Sequence, residues 1–540
     1  MSLPRIYSAG LLALSLLLSA CSPSEPAANA SRVLKIAFAG DNTQLVSLDP
    51  FQVYWIEHRV VLRNVVESLT DQDPASGKII PWLAQRWSIS DDAREYTFYL
   101  RSGVTFSNGQ VFDAQAVKTA FDSNKALAAE LPSVFGATYL AGYDHAEIID
   151  AQTIKLVLAK PNAGFLQATS TTNLAILAPE SYGKTAKERS LGAIIGTGPF
   201  VLANYTPETG VRLVKRQGYA WASANLKNQG EALVDAIEAS YIPEESVRNG
   251  LFVQGKVDIV WPRIPFSEVD IALFKQHDAT IQSRSLPGPA WGLYPNTTDG
   301  RILADPQVRH ALQKAIDRKT YASTSYSPEF PVVQSVLDVT TPFFRSQGAK
   351  LAFDPQEAGR LLDQAGWQLG ADGYRSKAGK RLSLEDNVVL RETPGDVLLQ
   401  DQLRQVGIEL KLKVRTYGDW SAANAAGQYD LTSTYMTRAD PIVLQNIIDP
   451  RTANTPTVAR NIYSPETLSQ AQTLFDAGLT ATNDAQRADA YGQVQDLLID
   501  QALAFPIYER LWQAATSSRV SNFRWSAEGF AFLSDIELKP

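Results

Sequence analysis

The apolar positions of this chain fall into short runs whose period changes along the sequence. Tyr96, Phe98 and Leu100 alternate with Thr97 and Tyr99, the two-residue period of a strand with one strongly apolar face. Arg101-Ser102-Gly103 and Ser107-Asn108-Gly109 punctuate as turns, because Gly and Asn accept a positive φ cheaply. Asp113 then stands as an N-cap, with Val117, Ala120 and Phe121 on one helical stripe behind it. Residues 79–122 thus predict strand, turn, short strand, turn, helix. Residues 32–39 alternate as a first strand, and 147–158 carry two apolar runs around Asp150-Ala151-Gln152, a hairpin signal. Asp305-Pro306 opens a helix whose buried stripe is Val308, Ala311, Leu312, Ala315 and Ile316. Asp354-Pro355 opens another, with Glu357 at the capping-box position and Gly366 after its last apolar residue. A further helix ends over 403–407, and Ile408, Leu410, Leu412 and Val414 alternate down the next strand. Helix and strand in repetition predict an α/β lobe.

At 540 residues the chain is too long for one core, and suggests about two to four domains of ~150 residues. Its 45% hydrophobic and 20% charged residues are an ordinary globular balance. A net charge of −7 with no basic stripe argues against nucleic acid as a partner. Ten Trp and twenty Tyr suit the aromatic walls of a small-ligand cleft, although core packing is the commoner fate of any single ring. Residues 1–20 carry Arg5 and an apolar run over 10–18, too short to span a membrane but fitting a secretory signal. The run ends Leu18-Ser19-Ala20-Cys21, which resembles the lipobox of bacterial lipoproteins and makes Cys21 the lipidation site. Cys21 is the only cysteine, so neither a disulfide framework nor thiol catalysis is expected. Residues 21–31 then read as a flexible tether.

Ile80-Pro81-Trp82-Leu83-Ala84, Trp87, Asp91-Asp92, Tyr96-Thr97-Phe98, Leu100-Arg101, Val104, Phe106, Asn108-Gly109 and Ala114 together resemble the extracytoplasmic solute-binding proteins of peptide and nickel ABC importers, family 5. Phe106-Ser107-Asn108-Gly109 with Phe112-Asp113-Ala114 is similar to the nickel branch. Gly196-Thr197-Gly198-Pro199-Phe200 resembles a signature of the same family; as a phosphate loop it fails, since Pro199 has no N–H and no Gly-Lys-Ser/Thr follows. The resemblance implies an α/β periplasmic binding protein-like fold of the cluster C type, with two lobes, two hinge crossings and a subsidiary domain. The expected division is a signal peptide over 1–20, a tether over 21–31, lobe I over 32–70, 194–286 and 504–540, subsidiary domain II over 71–193, and lobe III over 287–503.

It also implies a ligand site between the lobes. Tyr54, Trp55, His58 and Arg59 follow a Leu48-Asp49-Pro50 mouth, and Trp291 lies in the Pro- and Gly-rich first crossing. Tyr435, Met436, Thr437, Arg438 and Asp440 lie just past a strand-like run, where α/β lobes place ligands. By resemblance Asp440 would grip a ligand amine and Tyr435 would line the cleft, while Arg438 is suited to a carboxylate; a surface pairing of Arg438 with Asp440 is the alternative. Relatives that hold an anionic metal chelate use an arginine where this chain has Thr171-Thr172-Asn173, and none occurs between Arg101 and Arg189. Asn173 takes that place, leaving peptide, amino-acid derivative and metal chelate all open as the solute. No cofactor or direct metal ligand is expected. The expected partners are an ABC permease and, through the anchor, a membrane on the exported side, with the protein a monomer.

An exported enzyme is the contrasting class. The four histidines form no His-Glu-x-x-His, and no Gly-x-Ser-x-Gly elbow occurs. Ser181-Tyr182-Gly183-Lys184 matches Ser-x-x-Lys but lacks the Lys-Thr-Gly and Ser-Asp-Asn that accompany it in β-lactamases. A stand-alone ligand sensor is the remaining alternative.

Overall fold

The computed structural model describes residues 32–40 and 46–539, so Cys21 and the signal and tether expected over 1–31 lie outside the described residues. A seven-stranded sheet forms the first body, in the order Thr280–Ser285, Leu511–Thr516, Ile259–Trp261, Val33–Phe38, Ala236–Tyr241, Gly210–Lys215 and Phe200–Thr206. Its centre is parallel: Val33–Phe38 runs alongside both Ala236–Tyr241 and Ile259–Trp261. A five-stranded sheet forms the second body, in the order Glu409–Arg415, Ser383–Val389, Leu431–Ser433, Trp291–Pro295 and Phe505–Tyr508. There Ser383–Val389 is parallel to both Glu409–Arg415 and Leu431–Ser433. A third, antiparallel sheet of Ala84–Ile89, Glu95–Leu100, Thr153–Leu158 and Tyr143–Asp150 belongs to the interposed segment.

The local chemistry explains most element boundaries. Asp113 caps the helix Ala114–Glu130 by accepting a hydrogen bond from the Ala116 N–H at 2.9 Å, and Val117, Ala120 and Phe121 are buried beneath it. Asp305 and Asp354 cap the helices Pro306–Ala315 and Pro355–Gln364 in the same way. Glu357 does not close a capping box: its carboxylate takes two hydrogen bonds from Arg360, one turn further on. Gly196 and Gly198 are packing glycines. A Cβ on Gly196 would stand 2.0 Å from the Val65 carbonyl oxygen, and one on Gly198 would stand 2.6 Å from that of Asn64. The Gly198 and Phe200 N–H groups donate to the Val65 and Asn64 carbonyls at 2.9 and 3.0 Å, just past the helix Ile56–Leu62, and the Thr197 carbonyl accepts from Arg216 and Trp221.

Two passages connect the first and second sheets, at 286–290 and at 509–510. Phe505–Tyr508 pairs with Trp291–Pro295, so the return passage comes after Tyr508. Arg510 ties the two passages together. Its guanidinium donates to the carbonyls of Pro287 and Pro289 at 3.1 and 2.6 Å, to Asp338 at 3.1 Å and to the Thr437 hydroxyl at 3.0 Å.

Candidate ligand cleft

Parallel strands of both mixed sheets end at one cavity of about 2130 Å³. From the first sheet, Arg263 and Ile264 follow Ile259–Trp261 into the lining. From the second, residues 388–396 follow Ser383–Val389, 416–418 follow Glu409–Arg415, and Thr434 and Tyr435 follow Leu431–Ser433. At such ends, backbone groups and short loops converge without a further strand to occupy them, which is why open α/β sheets bind ligands there. The interposed segment adds a third wall through the turn Phe135–Thr138 and Lys160. Pockets for single small molecules enclose about 300–1,000 Å³, so this one admits a larger solute or a small one with water.

Four of the residues expected at a ligand line this cavity: Tyr54, Trp55, Trp291 and Tyr435. Tyr54 packs edge-on against Trp55 and Phe135, both at 5.0 Å between centroids, and burial raises its hydroxyl pKa. The Arg263 guanidinium lies 4.3 Å from the Trp55 ring centre and pairs with Glu57 at 2.7 Å. Trp291 stacks on Tyr508 at 5.0 Å, and Tyr435 remains half exposed with Arg510 behind its ring.

The other expected residues lie off the lining, each in a role of its own. Asp440 is 3% exposed and held bidentately by Arg487 at 2.7 and 2.9 Å, with the Ile442 N–H on the same carboxylate. Arg438, 1% exposed, donates to the amide oxygens of Gln167 at 3.0 Å and Asn446 at 3.3 Å, and its guanidinium lies 4.7 Å from the centre of the Tyr139 ring. The surface pair of Arg438 with Asp440 does not form, because both side chains are buried and Asp440 is taken by Arg487. Met436 is in the core, and Thr437 receives Arg510 on its hydroxyl and Tyr139 on its carbonyl. Together, 436–440 strap the second sheet to the interposed segment, an arrangement completed by Gln72 donating to the Ala439 carbonyl. Asn173 donates to the carbonyls of Pro50 and Val53 and so fixes the loop that presents Tyr54. His58 stacks on Tyr241 at 4.6 Å, and burial, followed by the charge of Arg263, lowers its pKa to about 3, so it is neutral. Arg59 is buried on Glu528 at 2.7 Å.

Sequence reasoning did not pick out Tyr321, Tyr326, Asp386, Asp396 or Tyr508, all of which line the cavity. Asp386 occupies an inward position in register with buried Leu384, and burial, then the neighbouring Asp396, pushes its pKa up to about 8. A carboxylate in core register on a parallel strand was the signal available for it. Among the described residues, no cluster of three or more His, Cys, Asp or Glu side chains could hold a metal ion, and no helix is long and apolar enough to cross a membrane.

Two α/β bodies with paired crossings and a cleft at their strand ends define a periplasmic binding protein-like fold. The chain belongs to the bacterial extracellular solute-binding proteins, family 5, whose middle region it matches over residues 78–454. It is therefore a binding protein of the ABC importer type rather than an enzyme. It is 25% identical to a probable di/tripeptide-binding protein 5 of Pseudomonas aeruginosa, over 98% of this chain and 99% of that one. It is 27% identical to the nickel-binding periplasmic protein of Escherichia coli, over 63% of each. Among solved structures, NikA of Brucella suis in complex with Fe(III)-EDTA superposes with a TM-score of 0.79 at 24% identity, covering 94% of this chain and 100% of that one.

Proposed function

We propose that this chain is a lipid-anchored clamp that captures a small peptide or amino-acid-derived solute, free or as a metal chelate, and hands it to a membrane permease. The observation that supports it best is the convergence of parallel-strand ends from both sheets on one cavity. Tyr54, Trp55, Trp291 and Tyr435 are the solute-contacting rings of this reading, while Asn173, His58, Met436, Thr437, Arg438 and Asp440 shape the walls behind them. Lobe I is built on the seven-stranded sheet, lobe III on the five-stranded one, and domain II is the interposed segment. Hinge closure about the two crossings, the motion of periplasmic binding proteins in general, buries the solute between lobes; only the solute's preference for the closed form drives it. Cys21, lipidated, would confine the clamp near its permease and raise the effective concentration there.

A peptide-type solute is favoured over an anionic metal chelate because the segment around Asn173 has no arginine where chelate-holding relatives use one, although Arg263 and Arg391 line the cleft elsewhere. Native mass spectrometry of the purified protein tests this. A spread of co-purifying masses without metal is the expected result, and a single metal-containing species would select the chelate instead. A solute recovered chemically altered would remove the binding-protein reading altogether.

A further inference from the structure

We infer that the lobe III wall of the cleft holds a subsite for an organic cation, a guanidinium or alkylammonium group, gripped by Asp386 and Asp396 and boxed by Tyr321, Tyr326, Trp291 and Tyr508. This deepens the reading of the cleft as the solute site and rests on it.

Asp386 is 2% exposed yet lines the cavity, and its Oδ1 has no hydrogen-bond partner among the described residues. A buried carboxylate in native proteins is ordinarily paired, because an uncompensated one is costly. The charge that acts on Asp386 most strongly is another carboxylate, Asp396, which repels it. Asp396 sits in the first turn of the helix Pro394–Gln405, where its Oδ2 accepts from the N–H and hydroxyl of Thr393. Neither carboxylate forms an ion pair among the described residues. Two acids thus face one cleft with a gap in their hydrogen bonding, and none of the cations of its lining, Lys160, Arg263 or Arg391, pairs with either of them among the described residues.

The neighbouring surface is aromatic. Tyr508 stacks on Trp291 at 5.0 Å with planes 16° apart, and on Tyr321 at 5.8 Å with planes 8° apart. Tyr326 stands against Tyr508 at 5.2 Å and 60°. Tyr326 also stacks on Phe330 at 4.2 Å, so the rings cover much of one another's faces and together form a flat apolar wall beside the acids. A bare metal ion fits less well, since two carboxylates among aromatic rings provide too few oxygen ligands for it. Delocalised or alkylated cations combine a charge for the acids with a flat or apolar body for the rings.

Asp386, carrying its proton in the empty site over much of the neutral range, must give it up to meet a cation. The titratable groups whose charge couples to Asp386 are Asp396 and Tyr321, while Tyr326 and Tyr508 share the cleft lining with it. Lys160, Arg263, Arg391 and Glu392 supply the remaining charges of the cleft lining. Cation binding below pH 8 should therefore release a proton.

The test is calorimetric titration of the purified protein with alanyl-arginine and with alanyl-citrulline, which has the same shape but an uncharged urea. The expected result is roughly tenfold or more tighter binding of the arginine peptide, abolished in Asp386→Asn. In two buffers of different ionisation enthalpy at pH 6.5, wild-type binding of alanyl-arginine should release about one proton. That wild-type measurement carries the test even where the variant does not fold. Equal affinity for the two peptides, or no proton release, overturns the subsite and leaves the cleft reading intact. No binding of either peptide overturns the subsite, and a mass spectrum that also shows no bound solute overturns the cleft reading with it.

Discussion

Asp440 and Arg487 meet through two hydrogen bonds with both side chains buried. Removing one partner of such a pair leaves the other charge in a low-dielectric interior without compensation, at a cost of about 3–5 kcal/mol. Asp440→Ala should therefore lower the unfolding free energy, read from urea titration, by an amount of that order. Its folded fraction should keep wild-type affinity, since Asp440 lies outside the cleft lining. A variant of normal stability with lost binding would put Asp440 back in the ligand site. The Ala439-Asp440-Pro441 wording points locally to a solute-gripping role. What decides the residue's role is an arginine 47 positions further along the chain, which no local pattern reveals.

The Gly-Thr-Gly-Pro-Phe element shows how a short motif becomes a mechanical part. Its glycines lie where a methyl group would meet backbone oxygens at 2.0 and 2.6 Å. Backbone cannot retreat as a side chain can, so Gly196→Ala should cost about 1–3 kcal/mol, read from equilibrium unfolding in urea. Wild-type stability would mean that the two segments can part freely. At this scale much was legible in the sequence: the caps at Asp113, Asp305 and Asp354, and the strand over Glu95–Leu100, follow from signals within a few residues. The box expected at Glu357 does not close, because Arg360 holds its carboxylate. The cleft was legible only in part. Tyr54, Trp55, Trp291 and Tyr435 reach the lining, but Asp386 sits between polar Glu385 and Asn387, so nothing in its immediate neighbours sets it apart. Its exposure to a cavity depends on how two distant sheets face each other.

At the scale of the molecule, the chain crosses between its two main sheets twice, and Arg510 binds both crossings to the strap that carries Thr437. Two crossings are where the lobes can rotate about one another while each sheet stays rigid, as hinge motion requires, with the strap at 436–440 moving together with the segment it holds. The cleft walls would then meet around a solute, and desolvation would strengthen whatever polar contacts they make with it. Small-angle X-ray scattering of the solute-free protein, before and after adding back the solute recovered from it, tests this clamp most directly. The account predicts a smaller radius of gyration with solute, reversed when the solute is removed; superimposable curves with the site demonstrably filled would contradict it.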